Sequence, residues 1–263
     1  YSYHPASHAL EALRERDAAL VLVSSKTFVE MKALHRQLGC SEPFVVENGG
    51  AVVFSLRGRN ALQLMDVLPP CRPVPGDDFC MLRLGASYDR LVASLADIAE
   101  ETGVQVKGFS SMGVEEIAAL TGLALPEAER AWQRDFDEPF LLQDSAPGNA
   151  ARVVDAAARR GLSVVMGNRF WHLIGHQGKA KAVALLLDAY RRLYGSVVTV
   201  GLGDSPNDFS FLELVDVPVI LGPSGVPELF VGSNPRARHI PLAGPGGWNT
   251  AILEILANVK EPA

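Results

Sequence analysis

Ser196-Val-Val-Thr-Val-Gly-Leu-Gly-Asp-Ser-Pro-Asn-Asp208 is the stretch that decides the reading of this chain. Its β-branched start reads as a buried strand, and the glycines at 201 and 203 end that strand in a tight turn. Asp204 and Asp208 are thereby presented where a parallel strand stops, the edge of an open α/β sheet at which ligands bind. Carboxylates crowded at such an edge repel each other unless a cation lies between them. Mg2+ is the common occupant of oxygen-rich sites that face phosphate. The plain alternative is an acidic loop that caps the next helix, since Asp and Asn are both good caps.

On either side of this stretch strands alternate with helices. Upstream, residues 5–16 look helical and Ala19-Leu-Val-Leu-Val23 reads as a strand ending at Ser24-Ser-Lys-Thr27. Residues 27–38 have helical composition, and strands 44–46 and 51–54 flank Glu47-Asn-Gly-Gly50. Downstream, residues 178–193 form a helix whose Val183, Leu186, Leu187 and Tyr190 make one apolar stripe. A helix over 208–214, a strand over 217–221 and a final helix over about 248–259 follow. This alternation implies a parallel sheet with crossover helices. Between the two halves, Pro69, Pro70, Pro73, Pro75 and Gly76 punctuate a polar stretch that suits a linker. Beyond it runs a self-contained α+β pattern, opened by a strand over 80–84 and closed by strands over 162–166 and 170–174. The expected fold is α/β: a Rossmann-like parallel-sheet core, residues 1–76 and 176–263, with an inserted α+β domain over 77–175.

With 263 residues, 48% of them hydrophobic, the chain can bury one large or two modest cores. No apolar run approaches the length of about 18 that a membrane helix needs, so no membrane partner is expected. The net charge of −6 and the lack of a basic cluster speak against nucleic acid. Cys40, Cys71 and Cys80 are odd in number and lack close metal-type spacing, which points to free thiols in a reducing cytoplasm.

Ser24, Ser25 and Lys26 end a strand and open a helix, where free N–H groups and hydroxyls favour an anion such as a phosphoryl group. Lys179 follows Gly178 at the start of another helix. Singly, these are a Ser/Thr helix cap and a surface lysine. Together, a hydroxyl, a lysine and paired acids at strand ends or helix starts are what a metal-assisted phosphoryl-transfer site uses.

Four segments carry a resemblance: Val23-Ser-Ser-Lys-Thr27, Pro43-Phe-Val-Val-Glu-Asn-Gly-Gly-Ala51, Asn168-Arg-Phe-Trp-His172 and Gly201-Leu-Gly-Asp-Ser-Pro-Asn-Asp208. Over nearly its whole length the chain resembles the haloacid dehalogenase superfamily and, within it, the mannosyl-3-phosphoglycerate phosphatases. The resemblance implies a Mg2+-dependent phosphomonoester hydrolase working through an aspartyl phosphate, with residues 77–175 as a mobile cap. Ser24 and Lys179 would hold the transferring oxygens, and Asp204 the metal, while Asp208 would either ligate it or orient Lys179. Ser25, Lys26, Glu47 and Asn48 would lie beside the substrate or the metal shell. In the cap, Arg169 would grip a carboxylate and His172 a sugar hydroxyl, although on one strand these positions face opposite ways. Trp171 reads as packing, His176 and His239 as ordinary, and Asp135-Phe-Asp-Glu138 as a solvated turn. The nucleophile motif of the family, Asp-x-Asp-Gly-Thr, does not occur in the sequence and is expected upstream of Tyr1. The implied partner is a phosphorylated sugar acid, mannosyl-3-phosphoglycerate, giving mannosylglycerate in the cytoplasm. The glucosyl analogue, a sucrose phosphate, or a non-catalytic sugar-phosphate binding role are the alternatives.

Overall fold

A computed structural model describes residues 3–58, 60–144, 146–175, 178–223 and 234–258. The chain divides into two compact units, residues 21–193 and residues 1–20 with 194–263. Helix α1 (Ser7–Glu15) opens the chain and belongs to the second of these.

The larger unit begins with β1 (Leu22–Val23), α2 (Phe28–Gln37), β2 (Phe44–Val46), β3 (Ala51–Ser55) and α3 (Ala61–Val67). Then come β4 (Arg72–Pro73), β5 (Phe79–Arg83), α4 (Tyr88–Thr102), β6 (Val106–Gly108), α5 (Val114–Thr121) and α6 (Leu125–Trp132). It closes with β7 (Asp137–Leu142), α7 (Asn149–Arg159), β8 (Leu162–Met166), β9 (Trp171–Gly175) and α8 (Gly178–Tyr194).

Its first sheet runs β1-β2-β3-β5-β4, with β1 parallel to β2 and the other pairs antiparallel. The period of two in a strand sends alternate residues to opposite faces, and both faces are covered. Val45, Val52, Phe54 and Leu82 pack with Leu186 and Tyr190 of α8. Phe44, Val46, Val53 and Met81 pack with Phe28 and Met31 of α2. Thr27 fixes the start of α2 through a capping box, its Oγ1 accepting from Glu30 N while Glu30 Oε2 accepts from Thr27 N at 2.9 Å.

Two expectations change here. The Pro-rich stretch is no open linker: it holds the end of α3 and the edge strand β4, the one kind of strand that tolerates proline. The strand expected over 80–84 to open the inserted domain is β5, over 79–83, and it pairs along β3 from Ala51↔Arg83 to Ser55↔Phe79. The β4–β5 register sets Pro73 opposite Cys80, and Cys71 and Cys80 are disulfide-bonded with Cα atoms 5.7 Å apart. The expectation of free thiols is therefore corrected for this pair.

The second sheet, β6-β7-β9-β8, is antiparallel throughout. Leu91, Leu95 and Ile98 of α4 and Val153, Ala156 and Ala157 of α7 pack with Phe140, Leu162 and Leu173 of the sheet. Trp171 packs against the same cluster, as its composition suggested.

The smaller unit adds β10 (Val200–Gly203), α9 (Phe209–Leu212), β11 (Val217–Leu221), β12 (Arg238–Ile240) and α10 (Gly244–Asn258) to α1. Its sheet β10-β11-β12 is parallel, and Ala251 and Ile255 of α10 pack on Val219 and Leu221. The class is mixed α/β with parallel pairing, as expected. The strands expected to share one parallel sheet, however, are hydrogen-bonded in separate sheets of the two units. No helix among the described residues is long and apolar enough to cross a membrane.

Candidate active site

In the smaller unit, β10 ends at Gly203 and delivers the acidic loop. Asp204 is exposed and Asp208 is buried. Oδ2 of Asp208 accepts from the backbone N–H of Asp204 at 3.0 Å and of Ser205 at 3.2 Å, which closes the loop on itself. A side chain at Gly203 would bring a carbon within 2.5 Å of the Asp208 Cβ, so only glycine fits under this closure. The capping role of Asp208 is thus present, and it orients the loop that carries Asp204. No group of three or more His, Cys, Asp or Glu positioned to hold a metal occurs among the described residues. Two carboxylates completed by water and a substrate phosphate are an ordinary donor set for Mg2+. His239 Nε2 lies 2.7 Å from the Gly222 carbonyl oxygen; His176 and Val259 lie outside the described residues.

In the larger unit, the loop after β1 and the turn after β2 hold each other. Asn48 N donates to Ser24 O and Glu47 N to Lys26 O, both at 3.0 Å. The Ser24 hydroxyl accepts from Lys26 N at 3.2 Å, and Lys26 Nζ pairs with Glu30 at 2.7 Å. Glu47 and Asn48 have φ of 46° and 54°, the left-handed region that side chains rarely adopt, and Gly49 follows at 93°. Such strain persists only where the surroundings over-determine it. Here Glu47 Oε2 accepts from the N–H groups of Asp135 and Phe136 at 3.0 and 2.8 Å, and Asn48 Nδ2 donates to Asp137 Oδ2 at 2.8 Å. Gly49 backs directly on the first turn of α8, where Lys179 is 5% exposed. The structure therefore brings Ser24, Glu47, Asn48 and the start of α8 into one neighbourhood. A narrow cleft bordered by Asn48, Gly50, Gly85, Phe136, Gly178 and Lys181 opens beside it.

Asp137 and Glu138 overturn the expectation of a solvated turn: they open β7 and are fully buried. Glu138 accepts from Tyr88 Oη at 2.6 Å and from the N–H of Ser110 at 3.0 Å, and burial pushes its carboxyl up. Asp137 lies 2.9 Å from His172 Nδ1 and 3.5 Å from Arg134. Burial alone would raise its carboxyl, but His172, Arg134 and Asn48 together hold it below the usual carboxylate range. Arg134 also donates to Ser25 O at 2.9 Å, tying the loop after β1 to the segment before β7. Neither Arg134 nor Asp137 was foreseen as part of the site. The signal for them is the acidic pair running without a break into Pro139-Phe-Leu-Leu142, which marks the start of a strand rather than a turn. Arg169 lies in the bend before β9 and donates to the carbonyl oxygens of Leu120 and Thr121 at the end of α5. His172, on β9, is buried.

Burial pushes Glu47 up to about 7, against the opposing pull of Arg134. Because its folded-state value is raised, its contribution to stability is complete below its ordinary 4.5 and is lost as pH rises to about 7. The thermal midpoint should therefore decline between pH 5 and 7 by more in the native protein than in Glu47→Gln. Equal slopes in the two proteins would remove Glu47 as the source.

No known protein-family profile matches the chain. Two curated relatives match it almost end to end, both named glucosyl-3-phosphoglycerate/mannosyl-3-phosphoglycerate phosphatase. The one from Methanococcoides burtonii is 34% identical over 259 residues, covering 97% of this chain and 91% of the relative. The one from Persephonella marina is 35% identical over 272 aligned positions, covering 99% and 93%. Among solved structures, a haloacid dehalogenase-like hydrolase from Bacteroides thetaiotaomicron shares the fold with a TM-score of 0.59 at 16% identity, over 97% of this chain and 92% of that one. The chain thus belongs to the glucosyl-3-phosphoglycerate/mannosyl-3-phosphoglycerate phosphatase family and is a phosphomonoester hydrolase.

Proposed function

We propose that this enzyme removes the phosphate of mannosyl-3-phosphoglycerate and of its glucosyl analogue, with Mg2+ as cofactor. The observation that carries this reading is Lys179, an ammonium buried in the first turn of a 17-residue helix. An ammonium set beside the positive end of a helix stabilises an anionic ligand of high charge density placed there. A phosphoryl group has that character.

Lys179 and Ser24 hold phosphoryl oxygens, and Ser25 and Lys26 set the loop that presents Ser24. Asp204 is the metal carboxylate, while Asp208 shapes its loop and is the second candidate ligand. Mg2+ bound there offsets charge on phosphoryl oxygens. Asn48, Glu47 and His172 face the sugar-acid part, and of the cap expected over 77–175 between the core segments 1–76 and 176–263, the part that follows β5 serves as the cap. The aspartyl-phosphate route belongs to the family's Asp-x-Asp-Gly-Thr motif, which residues 1–263 do not contain. The two relatives' names pair the glucosyl and mannosyl substrates, which supports the shared phosphoglycerate part as the feature recognised.

Phosphate release compared across mannosyl-3-phosphoglycerate, glucosyl-3-phosphoglycerate and sucrose phosphate tests the reading. The expected result is kcat/KM at least tenfold higher for both phosphoglycerates. Preference for sucrose phosphate would overturn it.

A further inference from the structure

Asp137 is a buried carboxylate with donors on three sides, and its partners come from three separate segments. His172 on β9 presents Nδ1 at 2.9 Å from both carboxylate oxygens. Asn48, in the strained turn after β2, donates Nδ2–H to Oδ2 at 2.8 Å. Arg134, ahead of β7, lies 3.5 Å from the same oxygen. An ionised carboxylate only accepts hydrogen bonds. Both polar partners must therefore turn a donor inward: His172 carries its proton on Nδ1, and Asn48 points its amide nitrogen at Asp137.

That choice decides what His172 shows on its other side. The ring is 6% exposed, and Nε2 has no hydrogen-bond partner among the described residues. Directly over Nε2 stands Gly167, in the turn joining β8 to β9, where a Cβ would come within 2.9 Å of that nitrogen. The missing side chain leaves a cradle at Nε2, an atom of a buried ring that is not itself sealed from solvent. With one proton held on Nδ1 by Asp137, the neutral form of the ring offers Nε2 as an acceptor, and the group that fits the cradle in that form is a hydroxyl donor such as that of a hexose.

We propose that Asp137 is a positioning residue: it locks His172 as the Nδ1–H tautomer so that Nε2 accepts from a sugar hydroxyl beneath Gly167, and it sets the orientation of Asn48 at the same time. This rests on the sugar-acid reading above for the identity of the hydroxyl, but the tautomer itself does not.

The test uses the full-length enzyme with 15N-labelled histidine. NMR of the native protein should place the His172 proton on Nδ1. Asp137→Asn, which can offer an N–H to the ring, should shift it toward Nε2. The same variant should raise the ratio of KM for mannosyl-3-phosphoglycerate to KM for p-nitrophenyl phosphate about tenfold, the weight of one good hydrogen bond. Gly167→Ala fills the cradle without touching Asp137, and should raise that ratio while leaving the tautomer at Nδ1. It also carries the kinetic test should Asp137→Asn fail to fold. An Nε2–H tautomer in the native protein, or an unmoved KM ratio in both variants, would overturn the proposal. If the native enzyme hydrolyses no sugar-acid phosphate, the functional reading fails separately, and the tautomer measurement still decides the role of Asp137.

Discussion

Lys179→Ala should lower kcat on the phosphorylated sugar acid by about 100- to 1,000-fold, the usual effect of deleting one preorganised group that stabilises developing charge. The size follows from burial. An ammonium held away from water acts on phosphoryl oxygens in a low-dielectric setting, where a fixed charge counts for more than at the surface. The helix itself should survive, since Ala is the strongest helix former and the apolar stripe of α8, Val183, Leu186 and Tyr190, is untouched. Circular dichroism and the unfolding midpoint therefore separate a chemical defect from a folding one. Turnover within a few-fold of native, in a folded variant, would return Lys179 to a purely structural place.

The second large effect is on stability. Gly49 has φ of 93°, and an added Cβ would stand 2.1 Å from the carbonyl oxygen of Gly178 and 2.9 Å from the amide of Lys179. Gly49→Ala must displace either the turn after β2 or the first turn of α8, both backbone. A loss of about 3 kcal/mol or more is expected in urea unfolding, with phosphatase activity falling alongside it. Gly39→Ala is the matched comparison: its φ is 61° but nothing lies within 4 Å of the added carbon. It should cost only about 1 kcal/mol, the strain of a left-handed alanine alone. Equal losses at the two positions would show that close packing against α8 is not what demands glycine at 49.

Much of the architecture could be read from local pattern because local physics produces it. The stripe on α8, the capping box at Thr27 and the hairpin of 44–46 with 51–54 are all set by residues within a few positions of each other. The same holds for the Asp208-closed loop after β10. What escaped the sequence depends on partners far along the chain. Asp137 looks solvated beside Asp135, yet its partner Asn48 lies 89 residues away and its partner His172 lies 35 residues away. The Cys71–Cys80 bond follows from the register of β4 on β5, which a run of prolines hides. Strand β12, Arg238-His-Ile240, has three residues and one aliphatic side chain, too little for a period to register. Separation into several sheets is likewise a pairing property, invisible to alternation of strands and helices.

The most direct test is release of inorganic phosphate from mannosyl-3-phosphoglycerate by the full-length protein, with Mg2+ titrated back after chelation. Saturable recovery of turnover with Mg2+, lost in Asp204→Asn, is the predicted result. No phosphate release at any Mg2+ concentration, or equal release in the presence of the chelator, would contradict it.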